Sequence, residues 1–338
     1  MKCRVVLLVV ALCMGAQMES AVGAAEKGPQ LSLASTDWAW WRGPNRNGVA
    51  AEDQTPPLEW DETRHVLWKS PVSGRGHGSP TVVGDRIFLL TADEEQEIQS
   101  VLCFDRNTGE ALWKRDIHTE GFKLTGRKGH IKSSMASSTV ACDGERLFAS
   151  FINADAVYTT ALSLEGEVLW QQKVTDYVMH QGYASSPTIY GPLLIVSADN
   201  KGGGVVTGFD RVTGDVVWTH KRPEMTTYTS PIILPVEGKD QLLLVGGEII
   251  VSFEPLTGKV NWTIEGATIE CVSSVVSDGK FIVTSGGYPR KHIEALRADG
   301  SGEVVWSKDI RVYIPSMLIR DGYLYVVGDS GVITCYEV

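Results

Sequence analysis

The chain is 338 residues long, 43% hydrophobic and 21% charged, with 35 glycines, a balance that excludes a disordered polypeptide and fits a folded, turn-rich protein. Its formal net charge of −10 excludes a general electrostatic attraction to nucleic acid or anionic lipid.

At the N-terminus, Lys2 and Arg4 precede an apolar run from Val5 to Gly15, and Ala21-Val22-Gly23-Ala24-Ala25 offers small residues for cleavage. Residues 1–24 therefore read as a signal peptide that exports the chain and is removed. The apolar run is too short to span a bilayer, so no transmembrane span is expected in the mature chain. Leu12 is bulkier than the residue that lipoprotein processing prefers before a cysteine such as Cys13, so lipid anchoring is not expected. Residues 25–62 form an N-terminal extension, expected to pack on the remainder of the mature chain. Its Trp38, Trp40 and Trp41 would be the platform if the protein bound carbohydrate.

From residue 63 to residue 338 the sequence repeats. Six tryptophans, Trp68, Trp113, Trp170, Trp218, Trp262 and Trp306, recur at intervals of roughly 44 to 57 residues. Each unit opens on a Ser-Pro or Ser-Ser step before apolar residues, as at Ser79-Pro80, Ser137-Ser138, Ser186-Pro187, Ser230-Pro231 and Ser273-Ser274. A tight turn such as Gly84-Asp85 or Asp278-Gly279 comes next, then a second β-rich run such as Leu193-Leu194-Ile195-Val196. A third strand leads into an acidic, glycine-ended turn, as in Asp105-Arg106-Asn107-Thr108-Gly109 or Asp210-Arg211-Val212-Thr213-Gly214, and a fourth strand carries the tryptophan.

Four short antiparallel strands per unit cannot bury both faces of one small sheet, whereas successive sheets stacked round an axis do so. The expected fold is all-β, a β-propeller with six recognisable four-stranded blades. A residue repeated in every unit serves packing, so the six tryptophans are assigned to docking between blades. Val66-Leu67-Trp68-Lys69 is a fourth strand without the first three, and the last unit stops after three. Either the N-terminal strand completes the last blade, or the six units belong to a seven- to eight-bladed ring. Of the cysteines outside the signal, Cys103 and Cys335 occupy equivalent places on strands expected to be buried, which favours packed thiols. No CxxC pair is present.

The Asp-x-x-Thr-Gly-x-x-x-Trp segments resemble the tryptophan-docking repeat of the pyrroloquinoline quinone (PQQ)-like β-propellers. Trp40-Trp41-Arg42-Gly43-Pro44-Asn45-Arg46-Asn47-Gly48-Val49 resembles the entry motif of exported bacterial members. The resemblance implies two kinds of function. One is that of BamB-like scaffolds, non-catalytic proteins of outer-membrane protein assembly; the other is that of PQQ- and calcium-dependent dehydrogenases of alcohols or sugars.

Unlike residues gather on the loops that enter each first strand and on those between second and third strands, which share one face of the disc. Arg75, His77, Lys132, His180, Tyr183, Tyr228, Glu270 and Arg290 are the candidates there for a ligand or partner. The cations would pair with carboxylates and the tyrosines would offer flat surface. The histidines lack metal-ligand spacing, and no hydrolase, zinc-protease or nucleotide-binding motif is present, so neither a metal site nor a catalytic residue is assigned. Glu270 and Asp199 would be the calcium ligand and base of the enzymatic alternative. The resulting expectation is a monomeric, periplasmic or otherwise exported scaffold without PQQ or calcium, binding protein or peptide partners in the cell envelope.

Overall fold

The computed structural model describes residues 31, 33–122 and 133–338. Sheet 1 contains β1 (Thr81–Val83), β2 (Arg86–Asp93), β3 (Ile98–Asp105) and β4 (Ala111–His118). Sheet 2 comes next with β5 (Ala141–Cys142), β6 (Arg146–Asn153), β7 (Ala156–Ser163) and β8 (Val168–Asp176), and sheet 3 with β9 (Thr188–Tyr190), β10 (Leu193–Ser197), β11 (Gly204–Asp210) and β12 (Val216–Arg222). Sheet 4 comprises β13 (Ile232–Val236), β14 (Lys239–Gly246), β15 (Ile249–Phe253) and β16 (Val260–Glu265). Sheet 5 comprises β17 (Val276–Ser277), β18 (Phe281–Gly286), β19 (His292–Arg297) and β20 (Val304–Lys308), and sheet 6 has three strands, β21 (Leu318–Arg320), β22 (Tyr323–Val327) and β23 (Ile333–Glu337). Every pairing is antiparallel and sequential, as an all-β propeller requires.

The strand-period alternation of apolar residues explains the stacking. Leu193 and Ile195 face sheet 4 while Leu194 and Val196 face sheet 2; Leu242 and Leu244 face sheet 3 while Leu243 and Val245 face sheet 5. Each of the five interfaces between consecutive sheets thus holds its own apolar cluster, centred on residues such as Phe88 and Phe151, Phe148 and Phe209, Leu242 and Phe253, Val245 and Ile282, and Val283 and Leu324.

The repeated turn has a mechanical role. Asp105 Oδ1 accepts the amides of Asn107 and Thr108, each at 2.8 Å, and Asp210 Oδ1 accepts those of Val212 and Thr213. The Thr108 amide and hydroxyl bonds hold the Asp105 carboxyl below the usual range. The closing glycine takes a left-handed conformation, with φ of 74° at Gly109 and 66° at Gly258, and a register shift in the third strand precedes each turn. The preceding sheet's tryptophan lies flat on that glycine: Trp113 on Gly166, Trp170 on Gly214, Trp218 on Gly258 and Trp262 on Gly300. The Trp113 and Trp170 indole N–H groups donate to the carbonyls of Leu164 and Arg211.

The Ser-Pro and Ser-Ser steps tie the sheets together near the axis. Ser79 N–H donates to Thr139 Oγ1, Thr139 N–H to Ser186 Oγ, and Ser186 N–H to Ser230 Oγ, all near 3.0 Å, while Ser273 Oγ donates to Pro315 O at 2.6 Å.

Residues 38–46 cross the axis. Trp38 exchanges backbone bonds with Val82 in β1, and Ala39 O accepts from Cys142 in β5. Arg46 donates to Ile189 O in β9, Trp41 Nε1 to Ser274 Oγ ahead of β17, and Arg42 to Met317 O ahead of β21. Trp40 is buried in the cluster between sheets 2 and 3 and stacks under the Arg46 guanidinium at 4.6 Å. It is therefore no platform for carbohydrate.

Two expectations change at sheet 6. Val66–Lys69 carries no strand pairing to β23; Trp68 instead lies on Gly109 and donates to Arg106 O, the same docking that the other tryptophans make on the sheet ahead, while Leu67 is 91% exposed. Cys335 is exposed, whereas Cys103 is fully buried. The two occupy equivalent strand positions, but Cys103 faces sheet 2 and Cys335 shares its face with Tyr325, Tyr323 and Ile333, all exposed. Among the described residues, no apolar cluster joins sheet 6 to sheet 1.

Candidate functional site

Four loops that enter first strands converge at the axis: 177–187, 223–231, 266–275 and 309–317. Their backbones are held before any side chain is considered. Tyr177 is fully enclosed, donates to Gly182 O at 3.0 Å and meets Tyr183 edge to face at 5.7 Å. Tyr183 is buried and donates to Ser197 O, so it serves first as the wall of its loop. Tyr228 N–H donates to Cys271 O at 2.8 Å, and Glu270 N–H donates to Tyr288 O.

On this frame, side chains from sheets 3 to 6 meet. Glu270 is 6% exposed; its Oε2 accepts the Tyr313 hydroxyl at 2.7 Å, and its Oε1 lies 3.4 Å from His180 Nδ1. The same His180 nitrogen is 3.3 Å from the Tyr228 hydroxyl. Burial first, and then Glu270, push the Tyr313 phenol above its ordinary value; burial does the same to Tyr228. Both phenols keep their protons and remain donors.

Two cavities flank this cluster. One, about 660 Å³, is lined by His180, Gln181, Thr226, Glu270 and Tyr313, with Lys201, Glu224, Tyr288 and Arg311 toward its rim. The other, about 470 Å³, is mainly apolar and lies among Tyr183, Tyr228, Val272, Tyr313 and Ile314. Of the residues singled out from the sequence, His180, Tyr183, Tyr228 and Glu270 come together here. Arg75 and His77 are exposed on the entry to sheet 1, where their amides donate to Ala92 O and Ala136 O, and neither lines these cavities. Arg290 is exposed and donates to Ala267 O. Lys132 lies outside the described residues. Thr226, Gln181 and Arg311 were not singled out; Gln181 and Thr226 share entry loops with candidates, and the only sequence signal of Arg311 is its place on an entry loop.

The donor set does not suit a calcium ion, which takes six to eight oxygens. Asp199 is gripped by Arg222 through Nε and Nη2 at 3.1 to 3.3 Å, and Glu270 faces a phenol and an imidazole. No group of three or more His, Cys, Asp or Glu converges to hold a metal among the described residues. His292 is also spoken for: it is buried beside Thr284, and burial lowers it to about 4, so its 3.6 Å approach to Glu294 is that of a neutral ring.

Solved structures of similar fold include BamB from Moraxella catarrhalis, at 17% identity and a TM-score of 0.58 over 82% of this chain and 76% of that one. A europium-containing methanol dehydrogenase matches at 13% identity and a TM-score of 0.60 over 88% of this chain and 69% of that one. The quinohemoprotein alcohol dehydrogenase of Comamonas testosteroni matches at 13% and 0.58, over 86% of this chain and 57% of that one. At these identities the likeness is one of fold. No curated protein sequence gives a match. A family model described as outer membrane protein assembly factor BamB matches residues 97–338, which is most of the repeat region. The chain belongs to that family of PQQ-repeat propellers.

Proposed function

We propose that the protein is an exported, non-catalytic scaffold of the cell envelope that binds a protein or peptide partner with its axial loop face, in outer-membrane protein assembly. The family match over residues 97–338 carries this reading. The loop face supports it: unlike side chains from four sheets form a concave, partly aromatic surface, the composition that anchors a partner's side chains. A quinone dehydrogenase would need a calcium site, and Asp199 and Glu270 give that reading no support.

The test is site-specific photo-cross-linking in the native envelope. A photoreactive residue at Ile314 on the loop face should capture an outer-membrane assembly component, and one at Asp278 on the opposite face should not. Equal capture from both sites, or none from Ile314, would sink the proposal. So would alcohol-dependent dye reduction by the purified protein given PQQ and calcium.

A further inference from the structure

Four carboxylates are buried among the described residues, and two of them are neutralised in place by arginine. Asp143 lies 2.9 Å from Arg211 and 3.4 Å from Arg146, and Asp199 is held by Arg222. Asp37 accepts the backbone amides of Ala34 and Gly84. Glu270 differs. Its side chain meets one phenol and one imidazole and, among the described residues, no guanidinium or ammonium. An imidazole is not an obligate cation near neutral pH, so it does not replace an arginine. A carboxylate offers about four lone-pair sites, and the Tyr313 hydroxyl occupies one of them, with His180 Nδ1 3.4 Å from the other oxygen.

The remaining acceptor capacity lies at the wall of the 660 Å³ cavity. Thr226, 1% exposed, also lines that cavity, and its buried hydroxyl has no hydrogen-bond partner among the described residues. A buried hydroxyl without a partner costs free energy that a ligand's N–H group would recover. The cations at the rim do not cancel the charge at the base. Arg311 is paired with Asp329 at 3.2 Å and lies 5.5 Å over the Tyr313 ring, and exposed Lys201 is offset in sign by exposed Glu224.

We propose that this cavity is a receptor for one basic side chain, lysine or arginine, presented by the protein partner, with Glu270 as its counter-ion and Thr226 as a second acceptor. The inference deepens the scaffold reading and rests on it. The Tyr313 hydroxyl holds the Glu270 carboxylate in place, so binding needs no rearrangement of the acceptor.

Calorimetric titration of the full mature protein with blocked amino acids tests it. N-acetyl-arginine amide or N-acetyl-lysine amide should bind at least about tenfold more tightly than the neutral N-acetyl-citrulline amide. Glu270→Gln should abolish that preference, and Thr226→Val should weaken the cationic probe by about threefold while leaving the fold intact. Equal binding of the citrulline probe, preference for N-acetyl-aspartate amide, absence of binding by either cationic probe, or an unchanged preference in Glu270→Gln would overturn the proposal. If the cationic probes bind as expected but cross-linking finds no partner, the scaffold reading falls and the cation site stands.

Discussion

The interface between sheets 3 and 4 and the outer face of sheet 6 are built from the same repeated pattern and end in opposite states. In the first, Leu242, Phe253 and Trp218 are buried between two sheets, and Trp218 lies flat on Gly258. In the second, Tyr323, Tyr325 and Ile333 alternate along their strands just as a buried face would, yet stand exposed. The indole N–H groups do not follow this contrast: Trp113 donates to Leu164 O, while Trp218 and Trp306, the latter tilted against Tyr336 at 5.7 Å, have N–H groups without a partner among the described residues. A repeat motif therefore specifies a complementary surface, and burial results only where the next surface is present.

The largest break in this comparison should come from glycine. Gly258→Ala places a methyl group about 2.4 Å from Trp218 at a φ of 66°, combining strain with overpacking. A loss of about 3 kcal/mol is expected. Gly331→Ala in the last hairpin has the same kind of backbone, with a φ of 82°, but meets nothing within 4 Å. It should lose only about 1–2 kcal/mol. Denaturant titration of both variants checks the ratio, and equal losses would mean that docking of the tryptophan contributes nothing.

A smaller effect separates the packed part by pH. Burial lowers His118, against Phe151 and Tyr158, and His292 from the ordinary 6.5 to about 4; the last sheet contains no histidine. Above pH 6.5 both rings are neutral in folded and unfolded chains, and their contribution is complete. As pH falls below 6.5 the unfolded chain binds protons that the folded one refuses, so stability declines toward pH 4. His118→Gln and His292→Gln should each flatten that decline between pH 6.5 and 4 in denaturant melts. A parallel pH profile would show that the ring is not held neutral.

The smallest expected effect leaves stability unchanged. A thiol reagent added to native protein should label Cys335 before Cys103 or Cys142, whose thiols burial raises to about 11 and about 12. Peptide mapping reads the order. Labelling of Cys103 first would place an opening between sheets 1 and 2 rather than beyond sheet 6.

The repeat was legible because period and turn chemistry are local: Asp105 to Gly109 announces its hairpin without help from the rest of the chain. The exposure of Cys335 was not, since its own strand reads like that of Cys103 and the two differ only in what packs against them among the described residues. The candidate site was legible in part. Entry loops supplied His180, Tyr228 and Glu270, but the sequence separations of 43 from Glu270 to Tyr313 and of 90 from His180 to Glu270 close only through the geometry of the ring. In sequence Asp199 is as available as Glu270; only the fold brings Arg222, at the end of β12, onto its carboxylate.

The strand of chain from Trp38 to Arg46 alters what kind of unfolding the molecule can undergo. Repeats coupled only to nearest neighbours can shed one unit at a time from an end. Here one short segment is bonded to sheets 1, 2, 3, 5 and 6 at once. Peeling off either terminal sheet must tear anchorages that sheets elsewhere in the array share, which turns a zipper into a single cooperative event.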